Sequence, residues 1–576
     1  MNLIKSHIAD RLSQAVELNQ SEIYALFEIP PDDSLGDLAF PCFILSKKLK
    51  KSPNIIARDL SAAIAPDSFI ASVSANGPYL NFFINRVNFA MDIINKIQSA
   101  SSRYGSSTLG QNKTIVMDYS SPNIAKPFGI GHLRSTVIGA ALKRIFEFQG
   151  YKVIGVNHLG DWGTQFGKLI TAYKLWGDPA RLAAQPIDHL FELYVKIHQE
   201  EEKEKKGSGE SSLEQQTRDE FKKLESGNKE NLELWKKFSE LSWLEFTSIY
   251  EMLGVKFESK AGESFYNDKM EVVVETLKNK KLLSTSRDAQ IVDLEKFSMP
   301  PLLIKKGDGT SLYATRDLAA AIFRKQEYNF DKSLYIVGVA QSLHFQQLFK
   351  TLELMGYEWA KDCRHVSFGW VKLGDEMMST RMGNIVFLKE VIDRTIELAA
   401  SIIAKNSTDI EEPKRVAFQV GVGAVIFAQL GFRRDTDISF EWDRMLAFDG
   451  NTGPYLQYTH ARICSVLRKY DRPLPSTFNP EMLKLAEEHQ IIKKLGLFPD
   501  IIDRAADECE PYIISSFLLD ICGIFNTYYQ KYRSSDDRIL SSDKAKAEAR
   551  LILIDALKSV LNSGLKLLGL YPIEKM

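Results

Sequence analysis

The stretch SPNIAKPFGIGHLRST, Ser121 to Thr136, collects two glycines, a lysine, a histidine and a carboxamide on one turn. It lies between an apolar run and a run with helical spacing. A strand that ends in such a turn and opens a helix presents unpaired backbone N–H groups at the positive end of the helix dipole, which makes an anion site. Gly129 and Gly131 let backbone approach a ligand, Lys126 adds a cation, Asn123 a carboxamide, and His132 a donor at the helix start. A G-x-G-H turn alone is more often an ordinary tight turn; the lysine and the carboxamide on the same loop point to phosphate. Much later, MMSTRMGN, Met377 to Asn384, resembles a partner loop without its lysines, offering Met378, Ser379 and Arg381.

These residues need a scaffold. TIVMDYSS, just before the first loop, is a short apolar run with β-branched residues, a strand. HLRSTVIGAALKRIFEFQG then has helical periodicity, and YKVIGVNHLGDWG is a second strand. Strand, helix and strand in this order imply a parallel sheet that binds ligands at the carboxyl ends of its strands. SLYIVGVAQ, Ser333 to Gln341, returns the strand pattern. Residues 1–110 read as an α+β unit, with Ile4, Ile8, Leu12 and Val16 on one helix face and GPYLNFFIN as a closing strand. Lys47, Lys48, Lys50 and Lys51 form either a solvated face or a phosphate-contacting patch. Residues 111–405 read as a Rossmann-type parallel-sheet unit with a charged, helical insertion over about 170–290 and the second loop at 377–384. Residues 406–576 read as all-α.

At 576 residues the chain exceeds one core, and 44% hydrophobic with 26% charged residues describes an ordinary soluble protein. The net charge of −1 does not advertise nucleic-acid binding, although a basic face can be offset elsewhere. Five scattered cysteines, with no CxxC pair, suggest neither disulfides nor zinc and fit a cytoplasmic location. The uncharged stretch from Val416 to Phe432 is too short and too polar for a membrane span, and no metal site is expected.

The first loop resembles the HIGH signature of class I aminoacyl-tRNA synthetases in the form found in arginyl-tRNA synthetases. NHLGDWGTQFGKL, LYATRDLAAA, MSTRMGN, DGNTGPYLQYTHAR and the closing LLGLYPIEKM are similar to that family in the same order, from about residue 30 to the end. The resemblance implies that ATP, with Mg²⁺, lies across the sheet and that no tightly bound prosthetic group is needed. Gly131, His132, Met378 and Ser379 would then contact ATP. The chain departs from the pattern at Gly129, which replaces the first histidine and would line the ATP site as backbone only. Met377, Thr380 and Met382 stand where the family often has lysine or another base. Lys126 sits where a lysine upstream of the signature substitutes in such enzymes, so Lys126, His132 and Arg381 are expected to supply the charge.

For the amino acid, the resemblance puts Asp118, Asp317 and Tyr313 at the guanidinium and Ser121, Asn123 and Gln341 near the α-amino and carboxylate groups. An acid pair without a cation would repel and raise its own pKa. His158, Asp161, Trp162 and Gln165 resemble the strand-end motif lining the same crevice. Asn76, Tyr79 and Asn81 resemble the segment that reads the tRNA D-loop, and Tyr455 and Tyr458 fall in the region similar to the anticodon-binding domain. The implied activity is ATP-dependent activation of arginine, only with tRNA bound, and transfer to the 3′ end of tRNA-Arg by a monomer away from membranes. The competing expectation is a non-catalytic RNA-binding paralogue, for which Gly129, Met377 and Met382 speak.

Overall fold

The computed structural model describes residues 2–16, 18–126, 128–208, 211–286, 288–306, 313–372, 387–406, 410–439, 445–447 and 449–576. Helix α1 (Asn2–Ala15) buries Ile4, Ile8 and Leu12, as the four-residue spacing predicts. Strands β1 (Leu38–Pro41), β2 (Ile70–Asn76) and β3 (Tyr79–Ile84) form an antiparallel sheet in the order β1-β3-β2. In β3 the register sets Asn81 opposite Ala39 and Ser74, and Asn81 is only 4% exposed. Asn81, expected at the RNA, is therefore buried in the RNA-free chain, while Asn76 and half-buried Tyr79 sit at the hairpin tip. Lys47, Lys48, Lys50 and Lys51 are all exposed, and Lys51 pairs with Asp59 at 2.6 Å. They form a solvated face.

The catalytic unit is built on four parallel strands: β4 (Thr114–Asp118), β5 (Lys152–Val156), β6 (Lys332–Tyr335) and β7 (Cys363–His365). Their spatial order is β7-β6-β4-β5. Ile115 therefore pairs with Val153 on one side and with Lys332 on the other. Helix α2 (Ile130–Phe148) returns the chain from β4 to β5, whereas β6 lies on the other flank of β4. The strand order reverses at β4, so the crevice at the carboxyl ends of β4 and β6 is the switch point where ligands bind in open α/β sheets. Much of the insertion is helical, as its composition implies: Thr164–Trp176, Pro186–Ser208, Ser212–Glu225 and Lys229–Leu253 are α-helices. It also contains a feature absent from the sequence reading, a three-stranded antiparallel sheet made by Leu283–Ser286, Ala289–Val292 and Leu302–Lys305. Its strands are only four residues long each, too short for a clear period-2 signal.

After about residue 410 the long elements are helices, chiefly α3 (Gly453–Arg468), α4 (Ala486–Glu508), α5 (Tyr512–Tyr532) and α6 (Lys544–Leu568). They are pinned by a buried ion cluster. Arg550, 2% exposed, donates through Nε to Glu488 at 2.7 Å and through Nη2 to Asp537 at 3.1 Å, while the Tyr528 hydroxyl donates to Glu488 at 3.1 Å. Arg550→Met would strand the wholly buried Glu488 carboxylate, and we expect it to destabilise this unit by about 3–5 kcal/mol. Urea unfolding of the full chain measures this; an unchanged midpoint for the C-terminal transition would refute it.

The N-terminal unit docks on this helical unit. Lys493 pairs with Asp37 at 3.1 Å, and the Tyr104 hydroxyl donates to the Leu495 carbonyl at 3.0 Å. Among the described residues no helix is long and apolar enough to cross a membrane.

Candidate active site

The loop leaving β4 bends through backbone conformations that cost energy. Ser120 (φ 74°), Ser121 (φ 49°) and Ala125 (φ 59°) are non-glycine residues in the left-handed region, at a cost of order 1–3 kcal/mol each. Hydrogen bonds from three other elements hold them there. Ser120 N donates to Ser135 Oγ at 2.9 Å, Ser121 N to Asn157 Oδ1 at 3.2 Å, and Ala125 N to Ser242 Oγ at 2.9 Å, while the hydroxyls of Ser120 and Tyr250 share a bond of 2.7 Å. Asn123 lies in register with Gly160, where a Cβ would come within 2.2 Å of its Oδ1, so only glycine admits the carboxamide. This is a loop fixed in advance of any ligand.

The loop delivers the chain to α2, which has Gly129 at its N-cap and no capping side chain. The first-turn N–H groups are thus presented to a ligand rather than to a side chain. Among the described residues a Cβ at Gly131 would meet nothing within 4 Å, which leaves room at this turn for a ligand. Phe387 pairs with Gly129, and Leu388 N donates to the Phe128 carbonyl at 2.9 Å; the chain emerging from the second loop is therefore fastened beside the first. Arg381, Met378 and Ser379 lie outside the described residues.

Lys126 holds its Nζ 4.9 Å from the centre of the Tyr194 ring. His132 lies in the field of that charge. Burial first, then Lys126, brings the imidazole down to about 4, well below its ordinary value. The expectation that His132 contributes positive charge is thus corrected: at neutral pH it is a neutral hydrogen-bonding group. Its Nδ1 is buried without a partner among the described residues. Arg134, two residues on, is wholly buried and donates through Nη2 to the carbonyls of Arg433, Arg434 and Thr436 at 3.2, 3.0 and 2.8 Å. It ties α2 to the segment whose Glu510 contact reaches the C-terminal helices, through Arg434 N at 3.3 Å.

Across the crevice, helix α7 (Tyr313–Tyr328) carries Tyr313 and Asp317 in its first two turns. Asp317 accepts from His344 Nε2 at 2.7 Å and lies 3.8 Å from His158 Nε2. Burial alone would raise its carboxyl, but the His344 hydrogen bond, the two imidazoles and Arg324 outweigh this and hold it below the usual carboxylate range. Burial also keeps His158 below its ordinary value. Tyr313 packs on the His344 ring at 5.1 Å between centroids.

Asp118 differs. Its Oδ1 accepts from Ser121 Oγ at 2.9 Å, and its Oδ2 lies 2.8 Å from Nη2 of the buried Arg324. The two acids are thus held differently: Arg324 gives Asp118 a counter-charge, while Asp317 shares a hydrogen bond with His344. Ser121, Asn123 and Asp118 come together at the end of β4. Gln341 stands exposed at the mouth of the same crevice, in the turn that leads into the helix Ser342–Leu354. Sequence reasoning missed Arg324 and His344. Arg324 sits seven residues after Asp317, two helical turns along α7, a spacing that places it on the same face; nothing in the spacing pointed to His344.

The C-terminal unit holds a second candidate surface, a depression of about 660 Å³ lined by Tyr458, Arg462, Arg468, Tyr529 and Lys575. The Arg462 guanidinium stacks 4.7 Å from the Tyr458 ring and 5.3 Å from that of Tyr529. Tyr455 is half-buried, its hydroxyl accepting from Asn526 at 3.0 Å. Gln457 is buried and bonded to the Gln419 and Tyr571 carbonyls, both at 3.1 Å, a packing role.

Comparison with known proteins agrees with this geometry. A family model described as tRNA synthetases class I (R), catalytic domain, matches residues 93–442; an arginyl tRNA synthetase N terminal domain matches 2–84, and a DALR anticodon binding domain matches 456–576. Sheet, switch-point loop and flanking units are those of a class I aminoacyl-tRNA synthetase. The arginine–tRNA ligase of Clostridium botulinum (strain Alaska E43) is 47% identical over 574 residues, covering 99% of this chain and 100% of that protein. That of Clostridioides difficile (strain 630) is 46% identical over 577 residues, covering 100% of both. The solved structure of Thermus thermophilus arginyl-tRNA synthetase has the same fold, with a TM-score of 0.80 at 23% identity over 96% of each chain. The chain belongs to the arginine–tRNA ligase family.

Proposed function

We propose that the chain activates arginine with ATP and passes it to the 3′ end of tRNA-Arg, with the first step requiring bound tRNA. The observation that carries this reading is the convergence of a preformed anion site, at the start of α2, with an anionic pocket around Asp317 at the same switch point. ATP, accompanied by Mg²⁺ as part of the substrate, lies with its phosphates against the first-turn N–H groups of α2, Lys126 and neutral His132. The arginine carboxylate attacks the α-phosphate, forming the arginyl-adenylate mixed anhydride and releasing pyrophosphate. The terminal ribose hydroxyl of the tRNA then attacks the carbonyl, and AMP leaves. Positioning and charge neutralisation do most of this work.

Ser121, Asn123 and Gln341 orient the α-amino and carboxylate end. Asp317 and Tyr313 take the guanidinium, while Asp118, committed to Ser121 and Arg324, orders the pocket behind them. Asn76, Tyr79, Tyr455 and Tyr458 are assigned to tRNA, with Arg462 added to the set. The chain acts as a monomer in the cytoplasm. Pyrophosphate exchange into ATP, with arginine and with or without tRNA-Arg, tests the reading: exchange only in the presence of tRNA is expected. No exchange in either condition, with tRNA still binding, would refute catalysis.

The aromatic and cationic lining around Tyr458 fits an unpaired base stacked on a ring beside a phosphate-neutralising arginine. Tyr458→Ala is expected to weaken tRNA binding by about 1–3 kcal/mol. Filter binding at two salt concentrations checks this, because loss of stacking lowers affinity without changing the salt slope. A change in slope with no loss of affinity would contradict it.

A further inference from the structure

Tyr194, on the insertion helix Pro186–Ser208, has no part in the chemistry proposed above, yet its buried ring carries the Lys126 ammonium. The Lys126 Nζ stands over that ring, 4.9 Å from its centroid. His198, one turn further along the same helix, has its ring centroid 4.4 Å from that of Tyr194 and donates through Nδ1 to the Tyr194 carbonyl at 2.8 Å. Residues four apart on a helix are neighbours, so the imidazole braces the ring.

The same helix face reaches the chain that leaves the second loop. Phe191, three residues before Tyr194, meets the Phe387 ring edge-on, with centroids 6.2 Å apart. Phe387 in turn pairs with Gly129, the N-cap of α2. One stripe of the insertion helix therefore touches the first loop at its lysine and the exit of the second loop beside the anion site. The Lys126 charge is felt on both sides. Burial first, then Lys126, lowers His132 at the start of α2; burial first, with Lys168 and Lys126 adding to it, holds His198 below its ordinary value. The ammonium thus stands between the insertion helix and the start of α2.

We propose that Tyr194 is a positioning residue for arginine activation: its ring holds the Lys126 ammonium beside the first turn of α2, where the ATP phosphates lie. The inference rests on the functional reading above, with Lys126 as its cation. A lysine ammonium is a compact charge on a flexible stem, so it must be held in place to act as a preorganised group. A ring face attracts an ammonium through its quadrupole, most strongly where water is excluded. Unlike a carboxylate, the ring adds no negative charge, so the ammonium it holds keeps its attraction for phosphate.

The test uses the full chain with tRNA-Arg in pyrophosphate exchange. Tyr194→Leu keeps an apolar side chain but removes the ring; kcat should fall by roughly 5- to 30-fold while the KM for arginine stays within about twofold. Tyr194→Phe retains the ring face and should stay within about twofold of the wild-type rate. Lys126→Ala combined with Tyr194→Leu should be no slower than Lys126→Ala alone, because the ring then has no ammonium to hold. Phenylalanines of increasing fluorination at position 194 barely change the ring's size while weakening its negative face, and kcat should fall stepwise along that series. A Tyr194→Leu enzyme at or above the wild-type rate, the same loss repeated on the Lys126→Ala background, or a flat fluorination series would overturn the proposal alone. A Lys126→Ala enzyme at the wild-type rate would remove the cation and this proposal with it, leaving the activity standing. No exchange in the wild type with tRNA would overturn the functional reading and this inference together.

Discussion

Replacing Lys126 by alanine is expected to lower tRNA-dependent pyrophosphate exchange by about 10²–10³-fold, the loss typical of removing one preorganised group aimed at developing charge. Within residues 119–132 Lys126 is the one lysine or arginine in the sequence. Arg134 follows, but its Nη2 is spent on three backbone carbonyls deep in the fold. His132, brought down to about 4 by burial and by Lys126 itself, stays neutral at working pH. Negative charge gathers on the departing pyrophosphate in the transition state, so kcat should fall more than the KM for ATP rises. Because His132 is already neutral in the free enzyme, the pH profile of kcat/KM for ATP should show no step from it near 6.5. Lys126→Arg should recover part of the rate, its charge being retained with a different reach. Exchange within threefold of wild type for Lys126→Ala, with the enzyme folded, would show that the charge comes from elsewhere.

The fold was legible because its signals are local. An apolar β-branched run, a glycine turn and a 3.6-residue period gave the β4 loop and α2, and reversal of strand order around β4 followed once β6 was placed beside it. The loop residues around Asn123 and Lys126 were legible for the same reason: one short segment carries them. The partners of those residues were not. Arg324 neutralises Asp118 from 206 positions away in sequence, and His344 reaches Asp317 from another helix. Protonation state was hidden for a related reason, since it depends on burial, and the sequence displays His132 as a donor without its surroundings. Asn81 shows the converse error. Its neighbours match an RNA-contacting segment, but its side chain is covered in the folded chain, a burial that the sequence does not display. Arg462 was within reach: it follows Tyr458 by four residues on α3, the spacing at which a helix pairs side chains.

The same separation of roles makes the two acids of the pocket distinguishable by experiment. Asp317→Asn keeps the volume and leaves an oxygen to accept from His344, so the wall should persist; what it removes is the negative charge that the substrate guanidinium meets. Truncating one partner of a buried charge pair costs about 2–5 kcal/mol, and kcat/KM for arginine should therefore fall by about 30- to 5,000-fold, mostly through KM. The KM for ATP should change little. Asp317 is held below the usual carboxylate range, so its contribution to stability is present above the unfolded value and lost as pH falls through the folded one. At pH 7–8 the substitution should therefore lower the thermal midpoint only slightly, the site being partly open to solvent. Asp118→Asn should do the reverse. It leaves Arg324, 1% exposed, without its counter-charge, and the penalty of an unpaired buried cation is about 3–5 kcal/mol. Stability should then suffer first, and arginine affinity only as far as the pocket loosens. Measuring arginine KM and thermal unfolding on both variants decides the assignment. If Asp118→Asn abolishes arginine recognition in a protein that melts like wild type, the guanidinium reads Asp118 directly and Arg324 yields that oxygen to the substrate. If Asp317→Asn leaves the KM for arginine within fivefold of wild type, Asp317 is not the guanidinium partner.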